Sequence, residues 1–484
     1  MRIPPPIRAF VLVTLVAAAA AGCATLPEVH PWFASRDAAR TPTVVGARGV
    51  LSKKQADALI ARLEPKGAAK DLLAKHLAIE EEIAGRPLTI GNSVSLLYDG
   101  PASYRAMFEA IERARDHVNA EFYIIDNDEI GKRFADALLR KAAAGVAVNV
   151  MYDSVGCINT PPAFFERLRA GGVKVLEYNP VNPLKARRGW SVNNRNHRKV
   201  LIVDGRTALT GGINISSVYS RGSSGASGSG GRGSAASGRG LGSRLGSAAE
   251  GDARNVGWRD TNIRIEGPAV EQLQRLFLET WEKQSGGALP QRAWFPQMKP
   301  AGEHPVRIVA SGPGDPVPAI YVAFLSAIAF AEKSVHLTMA YFVPDPQTIA
   351  ALKGAAARGV DVTLVLPSYT DFWAVFHAGR SHYSELLEAG VKIYERQEAL
   401  LHAKTAVIDG VWSSVGSSNL DWRSFLHNEE VNAVILGADF GRQVESQFQR
   451  DLRESLQIER EVWARRSLEV RLKERAARLW EYWL

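Results

Sequence analysis

Two short stretches of this chain carry the same reactive side chains at the same spacing. The first is Asn196-His197-Arg198-Lys199, running on through Val200, Leu201, Ile202 and Val203 to Asp204, then Gly211-Gly212-Ile213-Asn214. The second is Leu401-His402-Ala403-Lys404, running on through Val407 and Ile408 to Asp409, then Gly416-Ser417-Ser418-Asn419. In both, lysine stands two residues after histidine, aspartate five after lysine, glycine seven after aspartate and asparagine three after glycine. Residues two apart on a strand share a face, so each histidine projects together with its lysine. The apolar run after lysine carries the strand into a core. The Asp-Gly turn reverses the chain, and a second strand brings glycine and asparagine back beside histidine. One copy aims an imidazole, an ammonium and an amide at a common point, and two copies double the set.

That set suits phosphoryl transfer. One histidine attacks phosphorus and holds the intermediate. The other protonates the departing alkoxide and then deprotonates the incoming hydroxyl. The lysines and asparagines stabilise charge on the nonbridging oxygens. Lysines beside both histidines argue against a metal site, and no metal or other cofactor is expected. A single His-x-Lys-x-x-x-x-Asp would read as an exposed strand edge. Two copies with the same downstream Gly-x-x-Asn, inside a wider repeat, do not.

The wider repeat supplies the elements that must position these groups. The strand-like Val118–Ile125, a helix from about Asp128 to Ala144 and the strand Val146–Tyr152 recur as Val335–Phe342, a helix ending at Arg358, and Val360–Leu366. A further helix and strand follow in each half, at Gly171–Leu176 and Ala389–Tyr394. The glycines sit where helices stop, in the left-handed cap position. Strand and helix alternating over short connections mean an α/β fold, and a unit this long is a duplicated domain, not a solenoid repeat.

The chain has 484 residues, 46% hydrophobic and 23% charged, with a net charge of +8. This excludes collagen, a disulfide scaffold and a wholly disordered chain. The basic balance admits an anionic partner: phosphate, nucleic acid or anionic lipid. Residues 1–22 read as a signal peptide, with Arg2 and Arg8 before an apolar run too short to span a bilayer. The run ends Ala20-Ala21-Gly22-Cys23, similar to a bacterial lipobox, which implies lipidation of Cys23 and an exported, membrane-anchored lipoprotein on the periplasmic side. Cys157 then has no partner, and no disulfide is expected. Residues 23–50 read as a tether and 51–86 as a helical segment with Ser52 as an N-cap. The two repeat domains cover 87–290 and 300–462. The first contains a Gly/Ser-rich insertion, 220–247, too poor in apolar residues to order itself. Residues 463–484 read as an amphipathic helix. Leu468, Leu472, Leu479, Trp480 and Trp483 form its apolar side among Arg465, Arg466, Arg471, Lys473, Arg475 and Arg478, a pattern suited either to packing on the second domain or to a membrane surface.

Each catalytic histidine needs an acceptor for its second ring nitrogen. Asp204 and Asp409 stand at the far ends of their strands. The repeat register offers Asp260 and Glu430 instead: each begins a strand-like run that reaches glycine seven residues on, Gly267 and Gly437, with Asn262 and Asn432 in step. This register selects Glu430 over Glu429. The expectation is that Asp260 orients His197 and Glu430 orients His402.

The doubled motif resembles the phospholipase D superfamily and its paired His-Lys-Asp signature. Glu121-Phe122-Tyr123-Ile124, Tyr341-Phe342-Val343-Pro344-Asp345, Arg358-Gly359-Val360-Asp361-Val362 and Asn419-Leu420-Asp421-Trp422-Arg423-Ser424-Phe425 extend the resemblance toward bacterial cardiolipin synthases, over roughly Leu88 to Val462. The resemblance implies two similar α/β domains with sheets flanked by helices, related by a pseudo-twofold axis. It implies a phosphatidyltransferase that acts through a phosphohistidine on phosphatidylglycerol. Carried over by motif, the catalytic set is His197, Lys199, Asp204, Asn214, His402, Lys404, Asp409 and Asn419. His197 is the nucleophile and His402 the acid/base, with the reverse left open by the symmetry of the repeat. The implied partners are a phospholipid substrate and the membrane surface. A nucleic-acid partner is disfavoured, and no obligate protein partner is expected. Rival readings are a hydrolase of the phospholipase D type, a phosphodiesterase or nuclease, and a non-catalytic lipid-binding protein.

Overall fold

The repeat in sequence is a repeat in strand order. In the computed structural model, which describes residues 25–29, 42–46, 49–63, 72–182, 184, 190–220, 257–368 and 370–484, the first half lays its strands side by side as Lys174–Tyr178, Ala147–Asp153, His117–Phe122, Lys199–Val203, Thr207–Gly211, Asn262–Glu266 and Leu88–Leu97. The second half lays Lys392–Arg396, Asp361–Pro367, Ser334–Met339, Lys404–Ile408, Trp412–Gly416, Asn428–Leu436 and His304–Ser311 in the same order. In each, the first three strands are parallel neighbours and the rest antiparallel. The two last strands pair with each other, Asn92 opposite His304 and Thr89 opposite Val306. A contact between equivalent strands of two like halves is what a pseudo-twofold axis requires.

The strands that carry the motif lysines, Lys199–Val203 and Lys404–Ile408, are buried at every position. One face of each sheet meets the crossover helices, and the other meets the helix Ala269–Lys283 in the first half or Ala438–Arg453 in the second, together with the opposite half. Val200, Ile202, Ile263 and Ile265 from one half share a core with Val407, Val415, Val431 and Ile435 from the other. Such strands read as continuous apolar runs because neither face sees water. The crossover helices Glu129–Ala143 and Pro346–Ala357 are started by Asp128 and Asp345, whose carboxylates accept the first-turn backbone N–H groups. Gly145 and Gly359 follow these helices at φ 86°, the left-handed conformation the sequence assigned to them.

The helices Lys53–Leu63 and Leu72–Ala84 precede the first half in sequence but pack on the second. Leu77 and Ile79 enter the core of Ile320, Phe324 and Ile328. Buried Glu80 accepts from Arg307 at 2.9 Å and from Trp412 Nε1 at 3.1 Å. The N-terminal segment therefore braces the second half.

The C-terminal stretch departs from the single helix expected. The chain forms a short helix, Arg460–Ala464, breaks, and restarts as Leu468–Arg478, with the Ser467 side chain accepting from Val470 N–H; a 3₁₀ turn, Glu481–Trp483, follows. The break lets buried Trp463 pack on Tyr383, while the second helix turns toward Trp373–Arg380. No helix among the described residues is long and apolar enough to cross a membrane. The signal peptide, Cys23, most of the tether and all but Ser220 of the insertion 220–247 lie outside the described residues. Cys157 is buried and unpaired, with its Sγ accepting from Ile125 N–H.

Candidate active site

Each motif histidine enters the site from a two-residue strand that belongs to the interface between the halves. Arg195–Asn196 runs parallel to Asn428–Glu429, and His197 N–H donates to the Glu429 carbonyl at 3.0 Å. Leu400–Leu401 runs parallel to Trp258–Arg259, and His402 N–H donates to the Arg259 carbonyl at 2.8 Å. After the histidine the chain rejoins its own half: Lys199 lies opposite Phe122 and Lys404 opposite Met339. The first entry is locked by Asp153, which accepts from Asn196 N–H, and by the Asn196 amide, which donates to Glu121 at 2.7 Å.

One cavity of about 400 Å³ is lined by His197, Asn214, His402 and Asn419 together. The lysines lie against the histidines. Lys404 Nζ is 2.9 and 3.1 Å from the two ring nitrogens of His402, against the ring instead of on one lone pair. Lys199 Nζ donates to the His197 carbonyl and lies 5.3 Å over the Tyr123 ring. The carbonyl oxygen of Asn214 accepts from Ile124 N–H at 3.0 Å, and that of Asn419 from Tyr341 N–H at 3.3 Å. Each amide is thereby fixed with its NH₂ end as the donor.

The carboxylates cross over. His197 Nδ1 donates to Glu430 at 2.9 Å, and His402 Nδ1 donates to Asp260 at 2.7 Å. This reverses the expected pairing of Asp260 with His197 and Glu430 with His402. The reason is the interface strand: the backbone ahead of each carboxylate pairs with the strand that delivers the other half's histidine. The register that made Asp260 and Glu430 equivalent holds. Glu430 also accepts from Ser417 Oγ and from Asn428 at 3.1 Å, while Glu429 faces away, onto Arg198 and Lys283. At the position matching Ser417 stands Gly212, where a Cβ would fall 2.1 Å from Asp260 Oδ1. Glycine is needed there for Asp260 to reach His402.

Asp204 and Asp409 are elsewhere. Asp204 accepts the backbone N–H groups of Arg115, Asp116 and His117, and Asp409 those of Glu332, Lys333 and Ser334. Unlike the lysines, which touch His197 and His402, neither lines the cavity or bonds to a residue that does. Five residues along a strand put them on the opposite face from the lysines and about 16 Å away. Their place in the catalytic set is corrected to a structural one: each ties its turn to the start of the neighbouring strand.

Burial governs the protonation states. It pushes the His197 ring well below the ordinary histidine range, and Lys199, Lys404 and His402 push the same way. His402 is lowered too, by burial and Lys404, against Asp260. Lys404 falls to about 8, from burial opposed by Asp260 and Glu430, and Glu430 rises to about 7, from burial opposed by Lys199. His197 is therefore a neutral imidazole with Nδ1–H on Glu430 and the Nε2 lone pair available, as a nucleophile requires.

Several residues outside the doubled motif also reach the two histidines or the cavity. Tyr219 Oη is 3.4 Å from His402 Nδ1 and accepts from Asn214 at 3.2 Å. Trp258 and Tyr341 stand beside His402, and Tyr123 sits edge-on to His197, 5.0 Å between ring centres. Arg423 also lines the cavity and donates to Asn193 across the halves at 2.9 Å. Tyr123, Tyr341 and Arg423 fall in segments that carried the wider resemblance; Tyr219 and Trp258 had no signal.

Comparison with known proteins bears on the family and the fold. The family model described as cardiolipin synthase, phospholipase D-like domain, matches residues 107–221 and again 324–452. The chain is 35% identical to a cardiolipin synthase of Geobacillus thermodenitrificans over 84% of its own length and 74% of the relative's. It is 35% identical to cardiolipin synthase 2 of Bacillus anthracis over 79% and 69%. Among solved structures, a phosphatidylserine synthase of Haemophilus influenzae superposes with a TM-score of 0.59 at 13% identity, covering 85% of this chain and all of that one, a likeness of fold.

Proposed function

The chain belongs to the phospholipase D-like cardiolipin synthase family, and from that premise we propose that it is a phosphatidyltransferase that joins two molecules of phosphatidylglycerol into cardiolipin and glycerol. The observation that carries this reading is a pair of histidines on one cavity, each with Nδ1 held by a buried carboxylate and each beside a buried lysine.

Nε2 of His197 attacks phosphorus of the first phosphatidylglycerol. The bond from phosphorus to the headgroup glycerol oxygen breaks, and His402 gives that oxygen its proton, releasing glycerol. His402, now neutral, takes the proton from a glycerol hydroxyl of the second lipid. The freed oxygen attacks phosphorus, the phosphorus–nitrogen bond breaks, and cardiolipin leaves with both histidines restored. Asp260 stabilises the His402 imidazolium, as the buried carboxylate does in triads. An anionic phosphate beside His402 and Lys404 favours their protonated forms, offsetting the effect of burial. The amide groups of Asn214 and Asn419 meet the nonbridging oxygens, with Lys404 behind them; burial pushes Lys199 well below the ordinary lysine range, and the arriving phosphate anion favours its charged form too.

The test is product identity. Purified protein incubated with phosphatidylglycerol should yield cardiolipin and glycerol in equal amounts, and single-stranded DNA should remain intact. Phosphatidic acid as the main product would make the protein a hydrolase instead, and cleaved DNA a nuclease.

The sequence Ala20-Ala21-Gly22-Cys23 supports export and anchoring as a lipoprotein. Mass spectrometry of the mature N-terminal peptide checks this: a diacylglyceryl thioether on Cys23 is expected, and an unmodified Cys23 would overturn it.

A further inference from the structure

We propose that the C-terminal segment is a docking face that seats the cavity mouth on an anionic lipid surface; the proposal rests on the reading of the cavity as a phospholipid headgroup site. The helix Leu468–Arg478 buries Val470, Glu474 and Ala477. Its leucines point the other way. Leu468 is 75% exposed, Leu472 64%, Leu479 83% and the adjoining Trp480 63%. At 3.6 residues per turn the three leucines fall within about 40° of one another, opposite the buried face. A helix that served only to pack on the second half would bury its leucines and expose its glutamate. Here Glu474 is inside, paired with Arg466, and a stripe of large apolar side chains faces out.

The segment that carries the stripe ends at the cavity. The helix packs on Trp373–Arg380 through Val375, Ala378 and Ala477, and Leu484 joins the same cluster and lines the cavity. Phe372 and Ile158 line the cavity from either half and are themselves exposed. A cavity of about 400 Å³ holds a headgroup and leaves acyl chains outside. Those chains remain in the bilayer, so the mouth has to meet the bilayer, and apolar residues beside it are the surface that can do so. Arg465, Arg475 and Arg478 are exposed around the stripe, which matches it to anionic lipid, and tryptophan is suited to the headgroup level.

The test uses the full chain with Cys23→Ala, so that no acyl anchor contributes. Flotation with vesicles of equal parts phosphatidylglycerol and phosphatidylcholine is compared for this protein and for the same protein carrying Leu472→Glu, Leu479→Glu and Trp480→Glu. Vesicle affinity should fall by about tenfold or more. Turnover of phosphatidylglycerol dispersed in detergent should stay within about twofold, because the three side chains are at the surface. Unchanged vesicle binding would overturn the proposal. So would a dimeric parent that the substitutions split into monomers while vesicle binding persists, since the face would then belong to a second copy of the chain. If the parent turns over no lipid in any form but the substitutions still release it from vesicles, the docking face stands and the assigned activity does not.

Discussion

Glu430 accepts the Nδ1–H of His197 at 2.9 Å from the opposite half of the chain, and Asp260 does the same for His402 at 2.7 Å. Neither half can therefore orient its own histidine, and one site requires both halves. Glu430→Gln should slow formation of the covalent intermediate, and Asp260→Asn should slow both release of glycerol and attack by the acceptor, each by about 10- to 1,000-fold. Rapid-quench measurement of intermediate formation and decay distinguishes the two. Equal effects of both variants on the first step alone would contradict the crossed assignment.

Glu430 holds its position at a cost in stability. Burial raises its pKa to about 7, above its unfolded value, so its protonated form is favoured in the folded chain. Stability from this group is present at low pH and is lost as pH rises toward and through about 7. Glu430→Gln removes the buried charge and should stabilise the protein at pH 8 by about 1–3 kcal/mol while lowering turnover. Denaturant unfolding at pH 5 and pH 8 checks this: the gain should shrink at pH 5.

Asp204 and Asp409 act on the fold. Replacing either by alanine strands three backbone N–H groups and should cost about 1–3 kcal/mol. Turnover per folded molecule should stay within about twofold. A large loss of turnover with an unchanged melting temperature would restore them to the catalytic set.

Lys404 sets an alkaline limit. Its pKa of about 8 means that its charge is present below that pH and disappears above it. Because His402 must be protonated to act as the acid and its pKa is lowered, it sets the first alkaline fall of kcat/KM; a further fall should come as pH rises through about 8, and Lys404→Arg, whose charge persists, should move that second fall upward even where it lowers the maximum. A pH profile of both proteins over the alkaline range is the measurement.

What could be read in advance was whatever each half repeats within itself. Alternation placed His197 with Lys199 and His402 with Lys404, and glycine spacing ended the helices. The run to Gly267 and Gly437 matched Asp260 with Glu430 and set Glu429 aside. What could not be read was which half each group faces. A repeat register is internal to one half, whereas the pairing of Arg195–Asn196 with Asn428–Glu429 is a contact between halves. The same limit hid the docking of Leu72–Ala84 on the second half, which depends on Glu80 meeting Arg307 more than two hundred residues away. Tyr219 and Trp258 reach His402 from either side of the Gly/Ser-rich insertion and belong to no doubled pattern.

The most direct measurement is the site of the covalent intermediate. Protein mixed with phosphatidylglycerol, quenched within the first turnover and digested under alkaline conditions, should carry a phosphatidyl group on the peptide containing His197. The adduct should be lost in His197→Ala and should build up in His402→Ala given a substrate whose leaving group needs no proton. An adduct on His402, or turnover to cardiolipin with no adduct on either histidine, would contradict a shared site in which His197 is the nucleophile.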